Sequence, residues 1–242
     1  MWPLLDLSIR QMTGKRRLAV ILILAAIPVV LAILLPRLVG NDPGSSGEFP
    51  QTIIDGLFLG VILPIVVMTL ATGAFGNELE DRTLNVIVLK PVPRYAIVLP
   101  KYLASVIVAG VVLVIAIGLI VGVGLNDGGF TAVLAGVVAV AVGVITYGAV
   151  FTWAGLMTSK ALGFALVYVF LWEQLLTRFI RGVRYLSIRE YTLAIMNGID
   201  DKTFSVFDNR VVNLPAALIA AGVVTALFLG LTIRRLQRMD VP

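Results

Sequence analysis

Hydrophobic residues run through this chain in six long stretches, at about 18–39, 53–75, 102–125, 130–157, 161–180 and 214–233. Each is close to the roughly 20 residues that a helix needs to cross a hydrocarbon core of about 30 Å. Polar clusters such as GNDPGSSGEFP (40–50) and NDGG (126–129) separate them, and their glycine, proline, asparagine and aspartate favour reversal over continued helix. The pattern predicts an all-α membrane protein with six transmembrane helices, forming a single domain over 1–242. Ahead of the first stretch, Trp2, Leu5, Ile9 and Met12 recur at helical spacing, with Asp6, Arg10 and Gln11 elsewhere on the wheel. That spacing predicts an amphipathic helix lying in the membrane interface. Lys15, Arg16 and Arg17 precede the first stretch as in a signal peptide, but the apolar part is too long and no small-residue cleavage site follows. The reading is a retained helix.

Composition agrees with the pattern: 59% of residues are hydrophobic, 14% are charged, and the mean hydropathy is +1.01. The sequence has neither cysteine nor histidine, which removes disulfides, thiol chemistry, the commonest metal ligand and the usual general base. No GxxxxGK[ST] phosphate loop is present; in TGKRR the earlier glycine would have to stand at Ile9, so the chain is not a P-loop ATPase by itself. A Ser-Lys pair would need a lysine buried in a span, and none is expected from the pattern.

The net charge of +5 reflects membrane topology rather than nucleic-acid binding. With both termini in the cytoplasm, the inner side holds Arg10, Lys15, Arg16, Arg17, Arg82, Lys90, Arg94, Lys101, Lys160, Arg234, Arg235 and Arg238 of the 19 basic residues. Most of the others fall in one long external segment, 181–212, where the positive-inside rule weakens. That segment carries Tyr185, Leu186, Ile188, Tyr191, Leu193 and Ile195, which predicts short helices re-entering or lying on the outer surface. Within the spans, Ala132, Gly136, Ala139 and Gly143, with Gly110, Gly118 and Gly122, read as packing inside one bundle in preference to a dimerisation face. Glu173, in FLWEQLLTRFIRG, has two open readings. With Trp172, Arg178 and Arg181 beside it, it is either a carboxylate snorkelling to the outer surface or part of the translocation path or outer gate, the first being preferred.

The segment NELEDRTLNVIVLKPVPRYAIVLPK (77–101) lies between the second and third stretches, on the cytoplasmic side. Asn77 is placed to cap a helix beginning at Glu78, with Glu78, Glu80 and Asp81 in its first turn. Arg82 follows Glu78 by four positions, Leu84, Ile87 and Val88 form an apolar stripe, and Pro91 and Pro93 stop the helix near Lys90. On physical grounds this short amphipathic helix either rests on lipid headgroups or docks a soluble partner. The segment resembles the link between the second and third spans in permeases of the ATP-binding-cassette type-2 exporter family. The matching residues are the acidic pair Glu78 and Glu80, Thr83 with Leu84, Pro91, Pro93 with Arg94, and Lys101. Arg82 departs from the pattern, since many relatives carry glycine there. LWE (171–173) and RYLSI (184–188) are also similar to some members.

The resemblance implies a transmembrane subunit, not itself an enzyme, that pairs with a second copy of itself and with two ATP-binding-cassette ATPase subunits in the plasma (inner) membrane of a prokaryote. ATP and magnesium would be bound by those ATPases and no cofactor by this chain, and an accessory or periplasmic component can join the assembly. It further implies that the cytoplasmic coupling helix docks into the ATPase through Leu84, Val86, Ile87 and Arg94, that Glu78 and Glu80 hold the inner gate by ion pairs, and that 181–212 caps the dimer. The alternatives are an importer-type permease, whose loop carries a Glu-Ala-Ala motif followed by glycine that is missing here, a non-transporting membrane scaffold or regulator linked to an ATPase, and a lipid-modifying enzyme.

Overall fold

The computed structural model describes residues 2–39, 51–80, 93–125, 129–158, 160–179, 181–207 and 212–238, and among these there is helix but no strand. The chain opens with α1 (Trp2–Met12) and turns at Thr13 and Gly14 into α2 (Lys15–Val39). A π-helical segment, Ile53–Ile62, runs directly into α3 (Leu63–Glu80). Then come α4 (Tyr95–Gly124) and α5 (Phe130–Met157). Next is α6 (Ala161–Val167), continued by a second π-helical segment, Tyr168–Leu176, and a last turn, Thr177–Phe179. A 3-10 turn (Arg181–Leu186) leads to α7 (Ile188–Ile199), and α8 (Leu214–Gln237) closes the bundle.

Five helices among the described residues are long and apolar enough to cross a membrane: Lys15–Leu35, Ile53–Gly76, Tyr95–Gly124, Phe130–Met157 and Leu214–Gln237. The fifth of the six expected stretches is a shorter apolar helix, Ala161–Leu176. The third begins earlier than its hydrophobic run suggests, at Tyr95, because Pro93 and Arg94 already supply helical carbonyls to Ala96, Ile97 and Val98. Proline is at home in a first helical turn, where its missing N–H would have no partner in any case.

In the bundle α5 is central, packing against α3, α4, α7 and α8. Its most apolar window is 61% buried and that of the second span 67%, whereas α2 and α8 bury only 22% and 17%, so the first pair forms the core and the second the rim. Close approach depends on small residues. A Cβ on Gly155 would stand 2.5 Å from the carbonyl oxygen of Thr72 and 3.0 Å from its Cα, so α3 and α5 touch there backbone to backbone. Five threonine hydroxyls within the spans find partners in their own helices: Thr69, Thr72, Thr146, Thr152 and Thr232 each donate to the carbonyl four residues back, at 2.6–2.8 Å. That local bond removes the penalty of an unpaired hydroxyl away from water.

Helices form in segment 181–212 as expected, and α7 does not lie on the surface of the bundle. Ile188, Tyr191, Thr192, Leu193, Ala194, Ile195 and Met196 are all buried, while Tyr185 and Leu186 before it are exposed. Contacts with α5 run in opposite order along the two helices: Asp200 with Thr131, Met196 near Gly136, and Thr192 against Gly143. The helix therefore lies antiparallel to α5. At 1.5 Å per residue, Gly143 is about 20 Å from the end of α5 at Phe130, so the first turn of α7 reaches close to the middle of the bundle. Ala132, Gly136, Ala139 and Gly143 are buried within this one chain, which agrees with the packing role expected of them.

Candidate functional site

Two polar regions stand out in this apolar molecule. The first is at the end where α3 leaves for, and α4 returns from, segment 81–92 (the proximal end). Lys101 is buried on α4; its Nζ donates to the carbonyl of Ala74 at 2.8 Å and lies 4.8 Å from the ring centroid of Phe75. The carbonyl bond gives the buried cation a partner, and the aromatic face adds to the attraction. Lys101 thus fastens the start of the third span to the end of the second. A buried lysine in a span was not expected from the sequence, and Ser105 lies buried one turn further on; its hydroxyl donates to the carbonyl of Tyr102 at 2.7 Å. Lysine and serine are each engaged with a main-chain carbonyl. Arg17 lies over Gly73 of α3, while α1 packs on α4 with Ser8 and Met12 buried.

Several expected positions can be placed here. Helix α3 continues through Glu80, so Asn77 does not cap a new helix at Glu78; Glu78 and Glu80 belong to the last turn of the second span. Pro93 and Arg94 form the turn that opens α4, Pro93 exposed and Arg94 half-buried. Arg82, Thr83, Leu84, Val86, Ile87 and Pro91 lie outside the described residues.

The second region, towards the opposite (distal) end, is built around Glu173. This residue is 0% exposed, which overturns the snorkelling reading. Its carboxylate accepts the Ser187 hydroxyl and, at 3.1 Å, the backbone N–H of Ile188; the Tyr168 hydroxyl lies 3.4 Å away. Ser187 is the N-cap of α7 and also accepts the N–H of Glu190 at 3.2 Å. A carboxyl group at a helix N-terminus meets the N–H donors left free there, which is how its oxygens find partners in so apolar a place. Of the residues that suggested an interface belt, Trp172 instead joins an aromatic cluster beside the carboxylate, in which Tyr147, Phe151, Tyr168 and Trp172 stack or meet edge-on at 5.6–6.4 Å.

One residue beyond Ile188, Arg189 donates from Nε and Nη2 to Asp55 Oδ1 at 3.0 and 2.7 Å. Asp55 belongs to the first π-helical segment and Glu173 to the second, and Gln174 Nε2 joins the two segments by donating to the carbonyl of Gly60 at 2.6 Å. Gly60 permits this, since a Cβ there would stand 2.6 Å from the amide nitrogen. The first turn of α7 is thereby tied to both the second and the fifth hydrophobic stretches. Wide π turns recur at functional sites, and here two of them carry the acids that hold one helix end. Of these residues the sequence reading singled out only Glu173. Asp55 was legible as an acid inside a hydrophobic run, and Ser187 with Glu190 as a capping box; Gln174 and Tyr147 gave no signal. Among the described residues no group of acidic side chains is arranged to hold a metal ion.

The helical fold, the five spanning helices and the buried intramembrane polar groups define a polytopic membrane protein. Its family follows from comparison: residues 14–176, more than half of the chain, match the model described as ABC-2 family transporter protein, and the chain belongs to that family. It is a membrane component of an ATP-binding-cassette transporter, and membership implies association with an ABC ATPase. No match to a curated protein was found.

Proposed function

We propose that this chain is the permease of an exporter driven by separate ATPase subunits, two of them, acting on a homodimer of the permease. The observation that carries the reading is the family match, whose span includes segment 77–101 with its pattern of Glu78, Glu80, Thr83, Leu84, Pro91, Pro93, Arg94 and Lys101. In this reading all six hydrophobic stretches cross, residues 161–179 being the short fifth, with both termini and the proximal end in the cytoplasm of a prokaryotic cell. Leu84, Val86, Ile87 and Arg94 dock into the ATPase, Glu78 and Glu80 pair across the inner gate, and ATP with magnesium is bound and hydrolysed on the partner. Fastening of α4 to α3 by Lys101 supports a lever in which the two helices flanking the docking segment move together. Such a lever needs no catalytic residue; it needs two bundle states that the ATPase binds differently. The rims of α2 and α8 offer apolar surface for lipid and for the second copy.

The test is copurification. Leu84→Asp with Ile87→Asp is expected to abolish retention of the ATPase while the chain still inserts in the membrane, and undiminished retention would sink the docking assignment.

A further inference from the structure

We propose that the Asp55–Arg189 ion pair and the Glu173 carboxylate together form a releasable latch that holds α7 against α5, and that opening of the distal end of the pathway requires its release. The proposal deepens the transport reading and rests on it.

Polar ties to α7 converge on its first turn, at Ser187, Ile188 and Arg189, where two carboxylates on two different hydrophobic stretches receive them. Beyond that turn the helix meets α5 through apolar contacts with small residues, Thr192 on Gly143 and Met196 near Gly136. Such a seat resists lateral slip, and at its far end the bond across to α5, from the Thr131 hydroxyl to Asp200, is long at 3.4 Å. The shorter polar bonds are therefore concentrated at the first turn of the helix.

The two ties differ in a way suited to release. Glu173 is fully enclosed, whereas the side chains of Arg189 and Asp55 are 12% and 26% exposed, so water can replace that pair as it separates. The acids also sit on π-helical segments cross-linked by Gln174 and Gly60. Rewinding either segment to α-helix would turn its carboxylate away from α7, and the Gln174 bond passes the shift to the other segment. Asp55, Glu173 and Arg189 are positioning residues in this scheme.

The sequence has no cysteine, so single cysteines report accessibility directly. Thr192→Cys, behind the latch, and Ala109→Cys, in the core of α4, are to be labelled in membranes with an impermeant maleimide applied to the distal side. In the otherwise unaltered chain both should label slowly. With Asp55→Asn, Thr192→Cys should label at least about ten-fold faster while Ala109→Cys stays slow, since a weakened two-state closure shifts population by that order for each 1.4 kcal/mol lost. Asp55→Glu, which keeps the charge, should stay slow. The pair Asp55→Asn with Arg189→Gln, which orphans no buried cation, should label as fast as Asp55→Asn alone. Unchanged labelling of Thr192→Cys in both neutral variants would overturn the latch, and so would equal acceleration at Ala109→Cys, because a tie that merely holds the fold exposes both positions. ATPase copurification, which this labelling does not read, tells failure of the transport reading apart from failure of the latch.

Discussion

Glu173 shows how far one residue's neighbours in sequence can mislead. Trp172 before it and Arg178 and Arg181 after it are the surroundings of a side chain at a membrane surface, yet its hydrogen-bond donors come from Ser187 and Ile188, at the start of another helix. Replacing Glu173 by leucine leaves those donors buried without a partner. A loss of about 1–3 kcal/mol is expected, read as a lowered midpoint of thermal unfolding in detergent, with Glu173→Gln losing less because an acceptor remains. Asp200, in the turn after α7, gives a pH effect. Burial works to raise its carboxyl, but the backbone and hydroxyl bonds from Thr203, with the hydroxyl of Thr131 and the backbone of Lys202, outweigh it and hold the group below the ordinary carboxylate value. A group lowered on folding contributes stability that is present above its unfolded value, near 3.8, and lost as pH falls through the folded one. The hydrogen-exchange protection of residues 200–207, taken relative to the intrinsic exchange rate at each pH, should therefore be constant above about pH 5 and fall on acidification below the ordinary carboxylate range, and Asp200→Asn should remove that dependence.

Among elements, long apolar runs were read correctly wherever periodicity and length were sufficient, as in α2, α5 and α8. Two boundaries were not, for different reasons. The sequence of α3 turns polar at Asn77 while its helix continues to Glu80, because a helix leaving a membrane needs no apolar face once it is past the lipid. The fifth stretch reads as 161–180, but part of it winds as π-helix and two of its polar members meet partners that hydropathy cannot name, Glu173 at the start of α7 and Gln174 at Gly60. Lys101 escaped as a buried group because it stands just before the apolar run read as 102–125, although helix α4 begins at Tyr95 and runs through it. Gly155 tests the packing: Gly155→Ala should destabilise by about 1–3 kcal/mol, since the colliding atoms are backbone of Thr72, whereas Gly222→Ala, with open space around it, should cause no loss of thermal stability. Lys101→Met should leave the ATPase bound and lower its stimulation in reconstituted complexes, because the two flanking helices are then no longer fastened.

At the scale of the whole molecule, the bundle combines a polar junction at the first turn of α7 with a fastened pair of helices, α3 and α4, at the proximal end. Polar bonds join elements far apart in sequence, Lys101 to Ala74 near the proximal end and Arg189 to Asp55 at the first turn of α7, whereas most of the remaining core is aliphatic and packed on glycine and alanine. Family membership supplies the kind of partner, an ABC ATPase. The central claim is that segment 77–101 meets an ATPase, and the most direct measurement is site-specific cross-linking. A single cysteine replacing Ile87 in this cysteine-free chain, treated in native membranes with a short bifunctional reagent, should yield a product that mass spectrometry identifies as this chain joined to a protein with a Walker-type phosphate loop, increasing or decreasing with ATP. Recovery of the chain uncoupled to any such protein, under conditions where a cysteine at Arg94 also gives none, would contradict the account.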